Sequence, residues 1–107
     1  MAIVRFVFAA LKSGVSAADF ERFEREVDYA VSAKLKTIVS YRTHRITEVG
    51  TGLSGGPWDY VERIEVTDRT AYEAELAVVG KDLLSELYAQ YLDKSKTVSV
   101  WSERIEP

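Results

Sequence analysis

Four side chains in this sequence have the chemistry to move a proton, and the two-residue repeat of a β-strand brings three of them towards one line. His44 is the only histidine. It lies in a β-branched, aromatic-rich run in which Ile38, Ser40, Arg42 and Ile46 share its parity. Glu62 interrupts the otherwise apolar row Tyr60, Ile64 and Val66, and Arg5 does the same between Ile3 and Val7. If the glycine-rich connection between the two later runs closes symmetrically about residue 53, His44 falls opposite Glu62. A third strand that also borders the first would bring Arg5 to the same row. The expected line Arg5–Glu62–His44 has two readings. In one, Glu62 orients the imidazole and sets its tautomer, so that His44 works as an acid/base group in a pocket. In the other, an Arg–Glu pair and a satisfied histidine are buried for packing alone. Tyr72 could donate a proton to a developing oxyanion. Tyr60, Trp101 and Phe23, with Val7 and Ile38 on the strands, could line a cavity for a flat apolar ligand. Phe23 serves equally well as plain core, whereas the polar tips of Tyr72 and Trp101 need partners if buried.

Other chemistries are excluded or weakened. Gly50-Thr51-Gly52-Leu53-Ser54-Gly55 fits the glycine pattern of a dinucleotide-binding turn. That turn must open a helix aimed at the pyrophosphate, and here it runs through Pro57 into another strand, so a hairpin connection is expected instead. One histidine, no cysteine and no calcium-loop spacing leave no metal site in view, and no cofactor is expected. A formal net charge of −3 argues against a nucleic-acid surface. No apolar run reaches the ~20 residues needed to span a bilayer, and the opening residues lack a signal-peptide pattern, so a cytoplasmic protein is expected.

The elements that must position these residues follow from pattern. Residues 2–12 form a strand apolar on both faces, which is normally central and covered above and below. Ser16 with Asp19 opens a helix carrying Phe20, Phe23, Val27 and Val31, while Glu21, Arg22, Glu24, Arg25 and Asp28 read as its solvated face. Residues 36–49 and 59–66 are strands joined by a loop over 50–58. Thr70 with Glu73 opens a second helical region that Gly80 divides, and residues 96–105 form the last strand. The order β-α-β-β-α-β over residues 1–107 predicts one ferredoxin-like α+β domain, a four-stranded antiparallel sheet with its helices on one face. The other face would then leave Phe6 and Phe8 uncovered, and a second copy packed sheet against sheet is the simplest remedy. A homodimer is therefore expected.

Three segments carry a family likeness: Met1-Ala2-Ile3-Val4-Arg5-Phe6-Val7-Phe8, Arg25-Glu26-Val27-Asp28-Tyr29 and Ile38-Val39-Ser40-Tyr41-Arg42-Thr43-His44-Arg45. With them the chain resembles the RedY-like (HapK) family of prodigiosin-type tripyrrole pigment biosynthesis. The resemblance implies a dimeric α/β barrel and a small pyrrole-type ligand. It also implies either a cofactor-independent cyclase or dehydratase, or a protein that carries and shields an unstable pyrrole. A cofactor-free monooxygenase is a further alternative, by fold analogy alone. The chain is similar, more distantly, to dimeric α/β-barrel polyketide cyclases, in which a tyrosine and a histidine of the second helical region do acid/base work. Tyr72 matches that tyrosine, and the hydrophobic rhythm puts Arg5, Val7 and Glu62 on the pocket face. No histidine follows His44, so any such chemistry here would fall to His44, Glu62 or Tyr72.

Overall fold

Strand β1 (Ile3–Ala9) occupies an inner position of the sheet because both of its faces are apolar, and β3 (Tyr60–Val66) and β4 (Val98–Glu103) pair antiparallel on either side of it. The computed structural model describes residues 2–48 and 56–107. Strand β2 (Ile38–Arg45) adds to the far side of β3, giving the order β2-β3-β1-β4. This is the ferredoxin-like sheet that the element order implies. The strands are shorter than their apolar runs. Beyond Ala9, the first run continues only as an isolated bridge between Leu11 and Leu92, and Gly14 turns the chain with a φ of 85° that favours glycine. The Gly50–Gly55 pattern lies outside the described residues.

The first helical stretch begins where Ser16 accepts a hydrogen bond from the Asp19 amide, as its spacing predicts. It runs through α1 (Ala17–Phe23), a wide π turn (Glu24–Asp28) and α2 (Tyr29–Ser32). The second stretch starts one step earlier than Thr70: Asp68 caps α3 (Arg69–Val79) by accepting from the Ala71 amide. Gly80 separates α3 from α4 (Lys81–Gln90). A Cβ at Gly80 would lie 2.9 Å from the Leu76 carbonyl oxygen, so only glycine lets the two helices meet so closely.

Both helical stretches pack on one face of the sheet. Phe20, Phe23, Leu83, Leu87 and Leu92 cover Ala9 and Tyr60 at one end, while Leu35, Tyr41 and Tyr72 cover Val7, Ile64 and Val66 at the other. The opposite face carries Phe6, Phe8, Val61, Val98 and Val100, and the last two are more than 40% exposed at 43% and 42%. Trp58 packs on Phe8 there, with ring centroids 5.3 Å apart.

Candidate active site

Between the two apolar clusters lies a buried knot of acid groups. The Tyr41 hydroxyl is its centre: the Asp28 carboxylate is 2.8 Å away, Glu24 is 3.2 Å away, and Glu62 is in short contact. Strand pairing places Tyr41 here, two residues along β2 from Thr43 and so on the same face, with Thr43 opposite Glu62. Thr43 adds its hydroxyl, 3.3 Å from both Glu24 and Tyr41. Ser32 donates to the other Asp28 oxygen at 3.2 Å. Glu24 and Asp28 are each only 3% exposed, which corrects the sequence reading that put them on a solvated helix face. Across the π turn the inward face of this helix is wide: Phe23, Val27 and Val31 pack on the core while Glu24, Asp28 and Ser32 are buried beside them. Such turns occur frequently at functional sites. A signal was present in the sequence: Phe20, Glu24, Asp28 and Ser32 recur every four residues and so form one ridge of a helix.

Counting hydrogens shows what this knot must hold. One tyrosine hydroxyl donates a single hydrogen and accepts up to two. Three carboxyl groups therefore share it fully only if two of them donate to it, which requires them to be protonated. Burial supplies the driving force, because it disfavours the charged form. Burial first, and the neighbouring Asp28 charge next, push both Glu24 and Glu62 well above the ordinary carboxylate range. The Tyr41 hydrogen bond and the positive charge of Arg5 pull Glu62 part of the way back. Burial likewise raises the Tyr41 hydroxyl. One Glu24 oxygen, Oε1, is buried with no hydrogen-bond partner. The carboxylates of Glu24, Asp28 and Glu62 each offer an oxygen within 4.8 Å of the others and are, among the described residues, the groups that could ligate a hard cation. The Tyr41 hydroxyl already occupies the point on which they converge.

Stability should therefore depend on pH in an unusual direction. Folded Glu24 and Glu62 hold their protons to higher pH than the unfolded chain does. Their contribution is complete below the unfolded value of roughly 4.3 and is lost as pH rises through the raised folded values. Glu21, Glu75 and Asp93 are shifted down by hydrogen bonds, so their contributions change only at lower pH. Urea melts at pH 5, 7 and 9 are expected to show falling stability, with a shallower fall in Glu24→Gln. Equal slopes in the two proteins would contradict this.

The structure brings together some of the residues singled out by sequence and separates others. Glu62, Arg5, Tyr72, Val7, Ile38 and Tyr41 line one small cavity of about 40 Å³ under the helices, room for no more than a few waters. The Arg5 guanidinium donates to the Tyr72 hydroxyl at 3.1 Å. A larger open groove of about 450 Å³ shares Arg5 and Tyr72 as walls and continues to Trp101. His44 is elsewhere. The hairpin closes with Arg45 opposite Tyr60, so Val61 faces His44 and Thr43 faces Glu62. This register differs by one residue from the symmetric closure expected, and a one-residue step turns a side chain to the other face. His44 is exposed on the face away from the helices, and the line Arg5–Glu62–His44 does not form. Tyr60 also lies apart, its hydroxyl 2.6 Å from Glu21, which Arg45 holds at 2.8 Å. Phe23 is core, stacked on Tyr91 at 4.5 Å.

The family model for the REDY-like protein HapK matches residues 3–105. The chain belongs to the REDY-like HapK family. Among solved structures, this REDY-like chain is similar to HapK from Hahella chejuensis, at 23% identity and a TM-score of 0.74, over 97% of this chain and 94% of that one. It is similar also to a dimeric ferredoxin-like protein of unknown function from Jannaschia sp. CCS1, at 16% identity and a TM-score of 0.75, over 97% and 100% of the two chains. A DABB family protein with a ferredoxin-like fold from Mesorhizobium loti gives 11% identity and a TM-score of 0.70, over 99% and 100%. At these identities the likeness shows the shared fold. No curated protein matches the REDY-like chain significantly. Among its described residues no helix is long and apolar enough to cross a membrane.

Proposed function

We propose that this REDY-like protein is a cofactor-independent acid/base catalyst, acting on a flat heteroaromatic intermediate of prodigiosin-type tripyrrole synthesis. The observation that carries the reading is the buried knot of three carboxyl groups on one tyrosine hydroxyl, set in the wall of a small cavity that shares Arg5 and Tyr72 with the open groove where a ligand would sit. Such a knot retains protons at neutral pH and can release one. Asp28, Tyr41 and Glu62 all line that cavity, and Glu62 is the acid whose charge Arg5 moderates. Its carboxyl O–H breaks as a bond from that proton to the ligand forms, and the resulting carboxylate is stabilised by Tyr41 and Arg5. A proton lost from another position of the same ligand then returns to Glu62 and restores the acid. This pattern suits cyclisation, dehydration or aromatisation, in which proton gain and loss balance and no electrons are transferred. The pigment context rests on family membership and the resemblance behind it.

Incubation of the protein with bipyrrole intermediates, followed by LC–MS against a protein-free control, tests the reading. A protein-dependent isomer or a loss of water supports catalysis. A substrate that survives unchanged but decays more slowly supports a carrier, which would need the groove and not the acid groups.

The same reading includes a homodimer. Phe6, Phe8, Val98 and Val100 form an apolar surface on the uncovered sheet face, and similar structures are described as dimeric. Val100→Arg would place a charge within that surface and is expected to give a monomer by sedimentation velocity. An unchanged dimer would locate the interface elsewhere.

A further inference from the structure

Arg5 is a cation in an awkward place. It stands in the middle of β1, between Ile64 on β3 and Trp101 on β4, with its side chain on the helix-covered face. A half-buried guanidinium ordinarily meets a carboxylate there. Among the described residues no carboxylate lies within 4.0 Å of it. Its hydrogen-bond acceptor is the neutral Tyr72 hydroxyl at 3.1 Å. A guanidinium has five N–H donors in a planar fork, so most of that fork is unused. Glu62 feels the charge of Arg5, but its own hydrogen bond is to Tyr41.

Arg5 borders the open groove of about 450 Å³, a volume in the range of small-molecule sites. The groove supplies two further features. Trp101 and Tyr72 form an aromatic corner, with centroids 5.7 Å apart and rings at 74°. Leu76 and Leu84 provide an aliphatic wall. At the rim, the Arg69 guanidinium lies 4.9 Å from the Trp101 ring centre and is paired with Glu73 at 2.9 Å. Both partners of that pair are more than half exposed, so it is weak and readily exchanged for another anion.

A cation at the back, an aromatic face beside it and a second cation at the rim together describe one ligand class. We propose that the groove binds a planar aromatic carboxylate, with the anionic group on Arg5 and the ring against Trp101. The proposal rests on the catalytic reading above, whose small acid-lined cavity shares Arg5 and Tyr72 with this groove, and adds where the body of the substrate lies and what charge it carries. A carboxylate suits the fork because it accepts two parallel N–H bonds, and it would satisfy donors that Tyr72 leaves free.

Three probes of one ring size separate the elements: indole-2-carboxylate, indole-2-carboxamide and indole, titrated by calorimetry at low and high salt. The carboxylate is expected to bind roughly ten- to a hundred-fold more tightly than the amide, the usual effect of a charge-assisted hydrogen bond. That preference should shrink at high salt and disappear in Arg5→Gln. The wild-type comparison reads the preference by itself should Arg5→Gln fail to fold. Arg69→Gln, on the exposed rim, should weaken the carboxylate by a smaller factor. Equal binding of carboxylate and amide, or an undiminished preference in folded Arg5→Gln, overturns the anionic assignment and leaves the heteroaromatic reading standing. Binding of none of the three overturns both.

Discussion

Replacing Glu62 by Gln is expected to lower turnover by roughly 10²–10⁴-fold, the usual contribution of a positioned acid or base, with ligand binding little changed. The amide matches the carboxyl in shape and can still accept from Tyr41, so the knot should stay packed. It cannot release a proton to a ligand. The variant should also fold at least as well as the parent above neutral pH, because it removes a buried group whose ionisation opposes folding. Calorimetric binding alongside LC–MS turnover separates the outcomes. Lost turnover with retained binding identifies Glu62 as the acid. Retained turnover removes Glu62 from the mechanism, and loss of both would make it a residue that shapes the cavity.

Tyr41→Phe should be among the most destabilising single changes at this site, by about 3 kcal/mol at pH 8 and about 1 kcal/mol at pH 5. The ring would remain and fill the same space against Tyr29, which meets it edge-on at 5.1 Å. Only the hydroxyl is lost, yet Glu24, Asp28 and Glu62 all converge on it. Leaving buried polar groups without a partner costs about 1–3 kcal/mol each, and more when they are charged. Protonated carboxyls can hydrogen-bond to one another, so the penalty should fall as pH drops. Urea melts of the variant at the two pH values provide the check. A variant as stable as the parent at pH 8 would show that the three acids do not depend on their shared hydroxyl.

Much of the architecture was legible in the sequence because it follows from local chemistry. Ser16 and Asp19 marked the start of the first helix, and the two-sided apolar pattern around Phe6 and Val7 marked an inner strand. The likeness to polyketide cyclases implies a common pocket face for Arg5, Val7 and Glu62, and all three line one cavity. The site was less legible. Its centre, Tyr41, and two of its acids, Glu24 and Asp28, carry little sequence signal, since a tyrosine in a strand and acids in a charge run have ordinary explanations. His44 is conspicuous in the sequence because imidazole titrates near neutral pH, but side-chain type says nothing about which way a strand faces.

What the sequence determined by itself was the order of elements, the antiparallel ferredoxin-like sheet and the membership of each strand residue in one of two alternating sets. Tertiary structure alone decided which set of β2 faces the helices and which ridge of the first helix turns inward. Periodicity belongs to a single element and is fixed by neighbouring residues. Register between Arg45 and Tyr60, and the rotation of Glu24 and Asp28 towards Tyr41, are fixed by contacts between distant segments. A shift of one residue in either reverses which chemistry is buried.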